Sequence, residues 1–338
     1  MKILAVDDDC IILELLPIIL AKAGITDVTV ASSAQDALSV ISNQVEPFEC
    51  FLLDIEMPGG SGIELCRAIR KLPAYEKIPI IMLTAAQEKS FLDESFVAGA
   101  TDYATKPFDF DELRARVRMA KLLVDEQRKV QKISKSDRKS ADKPEADFTA
   151  AINISGVKGL VPKQALTSYV AQLSRVGFRA SAFFAVHIES CRQIFDKGTS
   201  SEFEYALRHS ADAIMASPRL GVAIMCYVGS GNFICCSNIA TLYPADLLES
   251  DIQNILDDKD LTYDNGSPLD VEIAVGAAVQ PLLSRPLQLN VLEPQAIERT
   301  MVRVEAKRSA PAVPNIRRIP NLDDRHGSTF VSVPRRPL

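Results

Sequence analysis

The chain has 338 residues, long enough for two ordinary domains, with 47% hydrophobic and 24% charged residues and a net charge of −6. The mild negative balance gives no electrostatic reason to expect nucleic acid as a partner, and no run of about 18 apolar residues suggests a membrane-spanning helix. The N-terminus opens directly on a strand-like segment, leaving no room for a signal peptide, and the seven cysteines contain no C-x-x-C pair, so the chain reads as cytosolic with reduced core thiols.

In chain order, residues 1–123 alternate between short apolar runs and amphipathic stretches. Strands are predicted near 2–7, 27–31, 50–55, 78–84 and 101–105, and helices near 10–23, 34–44, 62–72 and 88–98. A fifth helix is predicted after Asp109, whose side chain can cap Asp111-Glu112-Leu113. Five such β–α units imply a doubly wound α/β fold with a five-stranded parallel sheet. Residues 124–150 turn charged and read as a helical extension or linker. A second, α+β domain is predicted over 151–307. Its strands fall at Ser181–Ile188, Leu220–Val228, Phe233–Ser237 and Val271–Val279, and its helices near 162–176, 203–216, 244–257 and 293–307. Residues 308–338, rich in proline and arginine, read as a mobile basic tail.

Polar residues punctuate the ends of the first domain's strands. Asp7-Asp8 follow Ile3–Val6, Asp54 ends Cys50–Leu53, Thr84 ends Ile80–Leu83, and Lys106-Pro107 follow Tyr103. In an open parallel sheet these positions meet at the carboxyl edge, where such folds bind ligands. Two carboxylates 4 Å apart repel by about 4 kcal/mol at an effective dielectric near 20, so Asp7, Asp8 and Asp54 together call for a cation. All-oxygen ligands suit Mg²⁺, which would leave Asp54 ionised as a nucleophile and neutralise an incoming phosphoryl group. Lys106 supplies an ammonium and Thr84 a hydroxyl to the phosphoryl oxygens, while Ala85 and Ala86 leave the pocket open.

The pattern Val6-Asp7-Asp8-Asp9, Asp54-x-x-Met57-Pro58-Gly59, Thr84-Ala85 and Tyr103-x-x-Lys106-Pro107-Phe108 resembles the receiver domain of two-component response regulators. The resemblance implies a flavodoxin-like fold and phosphotransfer to Asp54 from a sensor histidine kinase or a histidine phosphotransfer protein. It also implies that the Glu56 backbone carbonyl joins Asp8 and Asp54 around Mg²⁺. Thr84 and Tyr103 would form the switch, the hydroxyl drawn to the phosphate and the ring swinging inward. Read without the resemblance, Tyr103 is an ordinary sheet-edge aromatic.

The second domain resembles diguanylate cyclase (GGDEF) domains in shape more than in chemistry. Gly159–Leu166 matches that family's entry motif, Ala185–Arg192 its first strand end, Gly229-Ser230-Gly231-Asn232-Phe233 its signature hairpin, Val271–Val279 its last strand and Ala296–Lys307 its final helix. The resemblance implies two acidic groups for metal, yet His187 and Asn232 stand at those positions, with Glu189 nearby. Neither can replace a carboxylate for a hard cation. Phe195 stands at the family's base-binding Asn, and Glu204 can substitute for its Asp. The hairpin is also a good plain β-turn, and His187 and Glu189 also fit polar strand-edge positions. The expectation is a non-catalytic output domain acting through protein contacts or as a homodimer. An active cyclase making cyclic di-GMP from GTP and a nucleotide sensor are the alternatives. No basic helix-turn-helix pattern appears over 150–307, so nucleic acid is not an expected partner.

Overall fold

The computed structural model describes residues 1–85, 88–136, 147–152, 154–175, 181–237, 244–279 and 288–309. The first sheet is built from β1 (Ile3–Val6), β2 (Val28–Ala31), β3 (Cys50–Asp54), β4 (Ile80–Thr84) and β5 (Asp102–Thr105). All pairings are parallel and the order is β2-β1-β3-β4-β5. The inner strands β1, β3 and β4 are buried along their whole lengths, which explains why they read as continuous apolar runs and not as alternations. The helices α1 (Cys10–Ala21), α2 (Ala34–Ser42), α3 (Gly62–Arg70), α4 (Lys89–Val97) and α5 (Phe110–Ser136) provide the cover.

The helix starts follow their capping chemistry. The side chains of Asp9, Ser33 and Ser61 each accept a backbone N–H from the first turn of α1, α2 and α3. Asp109 does the same for α5, taking the N–H groups of Asp111 and Glu112 at 2.8 and 3.2 Å. The α5 helix then runs for 27 residues, without a break at 123, well into the charged stretch. Residues 137–146 and the basic tail beyond Ser309 lie outside the described residues.

The second sheet holds β6 (Ala182–Ile188), β7 (Ala223–Gly229), β8 (Asn232–Ser237) and β9 (Ile273–Val275) in the order β7-β8-β6-β9, all antiparallel. The hairpin strand β8 is inserted between β6 and β7, which run the same way. This is the split β-α-β arrangement of ferredoxin-like sheets. Its helices are α6 (Lys163–Arg175), α7 (Cys191–Lys197), α8 (Ser200–Ala216), α9 (Ala245–Asp257) and α10 (Leu289–Ser309).

Three differences from the sequence reading have physical causes. The helix α7 was not predicted, because its seven residues are too short to display a helical period. The strand predicted over Val271–Val279 keeps only three residues in β9. Gly276 lies so close to α10 that an added Cβ would meet Thr300 Oγ1 at 2.2 Å, and pairing resumes only at Phe183 with Val279. The strand predicted from Leu220 begins at Ala223, after Gly221 turns at φ 64°.

The two sheets share a core. Phe96 and Tyr103 of the first domain are buried in one cluster with Val161, Ala165, Tyr169 and Leu173 of the second. The contact runs between α4 and β5 on one side and α6 on the other, and it lies beside the candidate site.

Candidate functional site

Parallel pairing brings the ends of β1, β3, β4 and β5 to one edge, and the residues picked from the sequence converge there. Asp7 and Asp54 are buried, and Asp8 is exposed at the rim. Lys106 Nζ lies 2.6 Å from Asp7 Oδ2 and 2.9 Å from Asp54 Oδ1, so one ammonium spans both buried carboxylates. A single oxygen from each of Asp7, Asp8 and Asp54 can be chosen so that all lie within 4.8 Å of one another. This all-oxygen set has the donor chemistry that a hard divalent cation requires. Glu56 is exposed in the loop directly after β3.

Burial pushes the Asp54 carboxyl up to about 6. Lys106 pulls it back only partly, and Asp7 and Asp8 add to the rise. For Lys106 burial also opposes the charge, but its hydrogen bonds to Asp7 and Asp54 outweigh that and hold the ammonium above its ordinary value. The pocket therefore has one more negative charge than it can comfortably hold, while keeping a fixed cation for anionic oxygens.

Thr84 is fully buried at the end of β4, and its hydroxyl is hydrogen-bonded to the Tyr103 phenol. The Tyr103 ring is only 2% exposed, so it is already turned inward despite its place on the edge strand β5. Burial raises the phenol to about 12, so it stays protonated. The Tyr103 backbone carbonyl accepts a hydrogen bond at 3.1 Å from Gln172 Nε2 of α6. Three residues earlier on α6, the Tyr169 hydroxyl donates to Asp93 Oδ1 of α4 at 2.6 Å, and Lys89 Nζ holds the other Asp93 oxygen at 2.8 Å. The Tyr169 ring meets Phe96 edge-on at 5.2 Å.

Gly62, Tyr169, Gln172 and Asp93 escaped the sequence reading. Gly62 opens α3 so close to β3 that a Cβ would stand 1.8 Å from the Asp54 carbonyl oxygen. Glycine at the first position of a helix capped by Ser61 was a local signal for it. The i, i+3 pair Tyr169 and Gln172 shares a helix face, but nothing in the sequence names its partner.

The second-domain positions are also located. His187 on β6 faces Asn232 on β8, and His187 Nδ1 is 3.0 Å from Asn232 Oδ1. Burial pulls the imidazole below its ordinary value, so it is neutral near pH 7. Glu189 is ion-paired with Lys307 at 2.5 Å. Phe195 packs edge-on to Phe203, half-buried Glu204 faces Arg208 on α8 at 3.6 Å, and Phe233 is wholly buried in the core. Gly229, Ser230 and Gly231 form the β7–β8 turn. The structure thus brings His187 and Asn232 together, but as each other's hydrogen-bond partners.

A five-stranded parallel α/β fold with a carboxylate pocket, a lysine and a hydroxyl at its carboxyl edge defines a receiver-type domain. The family pattern of the response regulator receiver domain matches residues 3–118. The DNA-binding response regulator MtrA of Mycolicibacterium paratuberculosis is 32% identical over 211 residues, covering 62% of this chain and 82% of MtrA. The chain belongs to the response regulators. The transcriptional regulatory protein YvrH of Bacillus subtilis is 39% identical over 118 residues, 35% of this chain and 47% of YvrH. Among solved structures, a putative response regulator from Chloroflexus aurantiacus is 37% identical, with a TM-score of 0.33, covering 35% of this chain and 95% of that one. No helix among the described residues is long and apolar enough to cross a membrane.

Proposed function

We propose that the protein is phosphorylated on Asp54 and signals without catalysis through its second domain. An Asp54 oxygen would attack phosphorus as the bond to a donor histidine's imidazole nitrogen breaks. The donor would be a sensor histidine kinase or a histidine phosphotransfer protein. The displaced imidazole takes up a proton from solvent, and Lys106 and Thr84 hold the charged phosphoryl oxygens. Asp7, Asp8 and Asp54, with the Glu56 carbonyl, would hold Mg²⁺, whose charge supplies further neutralisation.

One observation carries this reading: the hydrogen-bonded path that leaves the pocket. It passes from Thr84 to the Tyr103 phenol, and from the Tyr103 carbonyl to Gln172 on α6. If the Thr84 hydroxyl turns toward a phosphoryl group, Tyr103 loses that partner, and the α4–β5 contact with α6 must respond. The output of this switch is a change in the packing of the second domain, felt by a protein partner or by a second copy of the chain. The cyclase-like likeness is supported by the β-α-α-β-β-α-β order from β6 to β9 around a split sheet. Absence of catalysis is supported by His187 and Asn232 bonding to each other and by Glu189 being tied to Lys307.

The test incubates the purified chain with acetyl phosphate and Mg²⁺. Wild type should take one acid-stable, base-labile phosphoryl group and Asp54→Asn none, and label surviving in the variant would refute the assignment. Incubation with GTP and Mg²⁺, with and without phosphorylation, should yield no cyclic di-GMP. A second reading, a DNA-binding output, is favoured by the name of the relative MtrA. A mobility-shift assay on phosphorylated protein separates the two, since the protein-contact reading requires no shift.

A further inference from the structure

Chain preceding the second domain is folded onto it. Asp147–Ala150 forms a short turn tied by its own side chain, with Asp147 Oδ1 accepting from Thr149 N at 2.9 Å and from Thr149 Oγ1 at 2.6 Å. The boundary drawn at 150 from the sequence therefore falls inside structured chain. This strap lies across the β7–β8 turn. The Phe148 carbonyl accepts the Ser230 N–H at 3.0 Å. A Cβ on Gly229 would stand 2.1 Å from the Thr149 carbonyl oxygen, so the turn admits the strap only because residue 229 is glycine. The Phe148 ring packs edge-on to Phe195 of α7 at 5.4 Å, and the Arg192 guanidinium lies over both rings, 5.1 Å from Phe148 and 6.0 Å from Phe195.

The strap supplies two chemical features to this surface. One is an acceptor oxygen for a hairpin N–H in a turn whose φ values run 94°, 52° and 79° over Gly229, Ser230 and Gly231. Such successive positive-φ residues are open to anionic oxygens. The other is a flat ring against an aromatic–guanidinium pair. A nucleotide carries both features in one molecule, and Arg192, which now pairs with Asp196 at 3.0 Å, would add a cation beside the phosphates that the neutral Phe148 does not use.

We propose that Asp147–Ala150 is an intramolecular plug that occupies the surface formed by the β7–β8 turn and α7, and closes it to nucleotides. The choice of a nucleotide as the excluded ligand rests on the cyclase-like reading of the second domain, whereas the plug itself rests on the contacts. The strap follows α5 in chain order.

Two variants of the full chain attack the plug from opposite sides. Phe148→Gly removes the ring, and Gly229→Ala drives a methyl group into the Thr149 carbonyl. Amide hydrogen exchange at Ser230 and calorimetry with GTP are the readouts, with the β6 amides as the control for folding. Both variants should speed Ser230 exchange at least tenfold, leave β6 protected, and bind GTP at least tenfold tighter than wild type. Ser230 exchange equal in all three proteins would overturn the plug and leave the cyclase-like reading standing. A released Ser230 amide with no gain for GTP would overturn the exclusion of nucleotide together with that reading. Should Gly229→Ala fail to fold, Phe148→Gly decides alone, because it alters no residue of the hairpin or of α7.

Discussion

Asp54→Asn should change how stability depends on pH, and by an amount the pocket sets. Folding moves the Asp54 carboxyl from an ordinary 3.8 to about 6, chiefly because its charge is buried. The folded protein therefore holds this proton more tightly than the unfolded chain does. Below about pH 3 both states are largely protonated and little cost is felt. As pH rises through the window from 3.8 to about 6, the unfolded state ionises first and stability falls. Above that window the cost is complete. A displacement of roughly two pH units, at about 1.36 kcal/mol each, is about 3 kcal/mol. Asparagine has the same shape and no charge, so the stability difference between Asp54→Asn and wild type should shift by roughly 2–3 kcal/mol in the variant's favour from pH 4 to pH 7.5. Any constant offset from the altered contact with Lys106 drops out of this comparison. The assay is urea unfolding in EDTA at several pH values. Millimolar Mg²⁺ should then erase most of the difference at pH 7.5, since a ligand at a hundred times its Kd stabilises by about 2.7 kcal/mol. A difference that stays flat across pH would refute the claim that burial dominates at Asp54.

Lys106→Met should leave Asp7 and Asp54 buried without their cation and cost about 3–5 kcal/mol in EDTA, read by urea unfolding, with partial recovery in Mg²⁺. Gly62→Ala should press on the Asp54 carbonyl, cost about 1–3 kcal/mol and slow labelling by acetyl phosphate. Labelling at the wild-type rate would show that the α3 start does not position the phosphoacceptor. Tyr169→Phe removes a buried hydrogen bond to a carboxylate, so a loss of about 1.5–3 kcal/mol is expected, with faster hydrogen exchange in α6. A loss below about 0.5 kcal/mol would mark the α4–α6 contact as loose.

The first domain was legible because its chemistry and its local structure coincide. Asp7, Asp54 and Thr84 each end or follow a strand buried along its whole length, so one continuous apolar run announces both the strand and the residue it delivers, whereas Lys106 follows the half-buried edge strand β5 and is marked by its Lys-Pro step. Tyr103 was legible as a switch candidate, but its inward ring depends on packing against Thr84 and α6. The interdomain contact was hidden for the same reason. Tyr169, Gln172 and Asp93 lie 69 or more residues from their partners in the other domain, and no local rule links them. In the second domain, His187 and Asn232 were found as departures from a pattern. Sequence could say which chemistry they lack, but not that they bond to each other across β6 and β8. The strap was missed because 124–150 was read by composition alone, and composition cannot show that Phe148 has a ring to pack on.

The Thr84 hydroxyl has two possible partners, and their difference limits the switch. Its present bond to the Tyr103 phenol is between neutral groups, worth about 0.5–1.5 kcal/mol, whereas a bond to a phosphoryl oxygen is charge-assisted, at about 1.5–3 kcal/mol. The exchange yields roughly 1–2 kcal/mol, or about a 5- to 30-fold shift between two packings. A swing from 1:99 to 99:1 needs about 5.5 kcal/mol. If Thr84 and Tyr103 form the proposed switch, they alone would produce a graded response. A sharper one requires the rest of the free energy from contacts that also change with the switch. The buried Tyr169–Asp93–Lys89 chain and the Gln172 bond to the Tyr103 carbonyl stand where that contribution can be made. If the proposed switch operates, the second domain would set how decisively its own receiver responds.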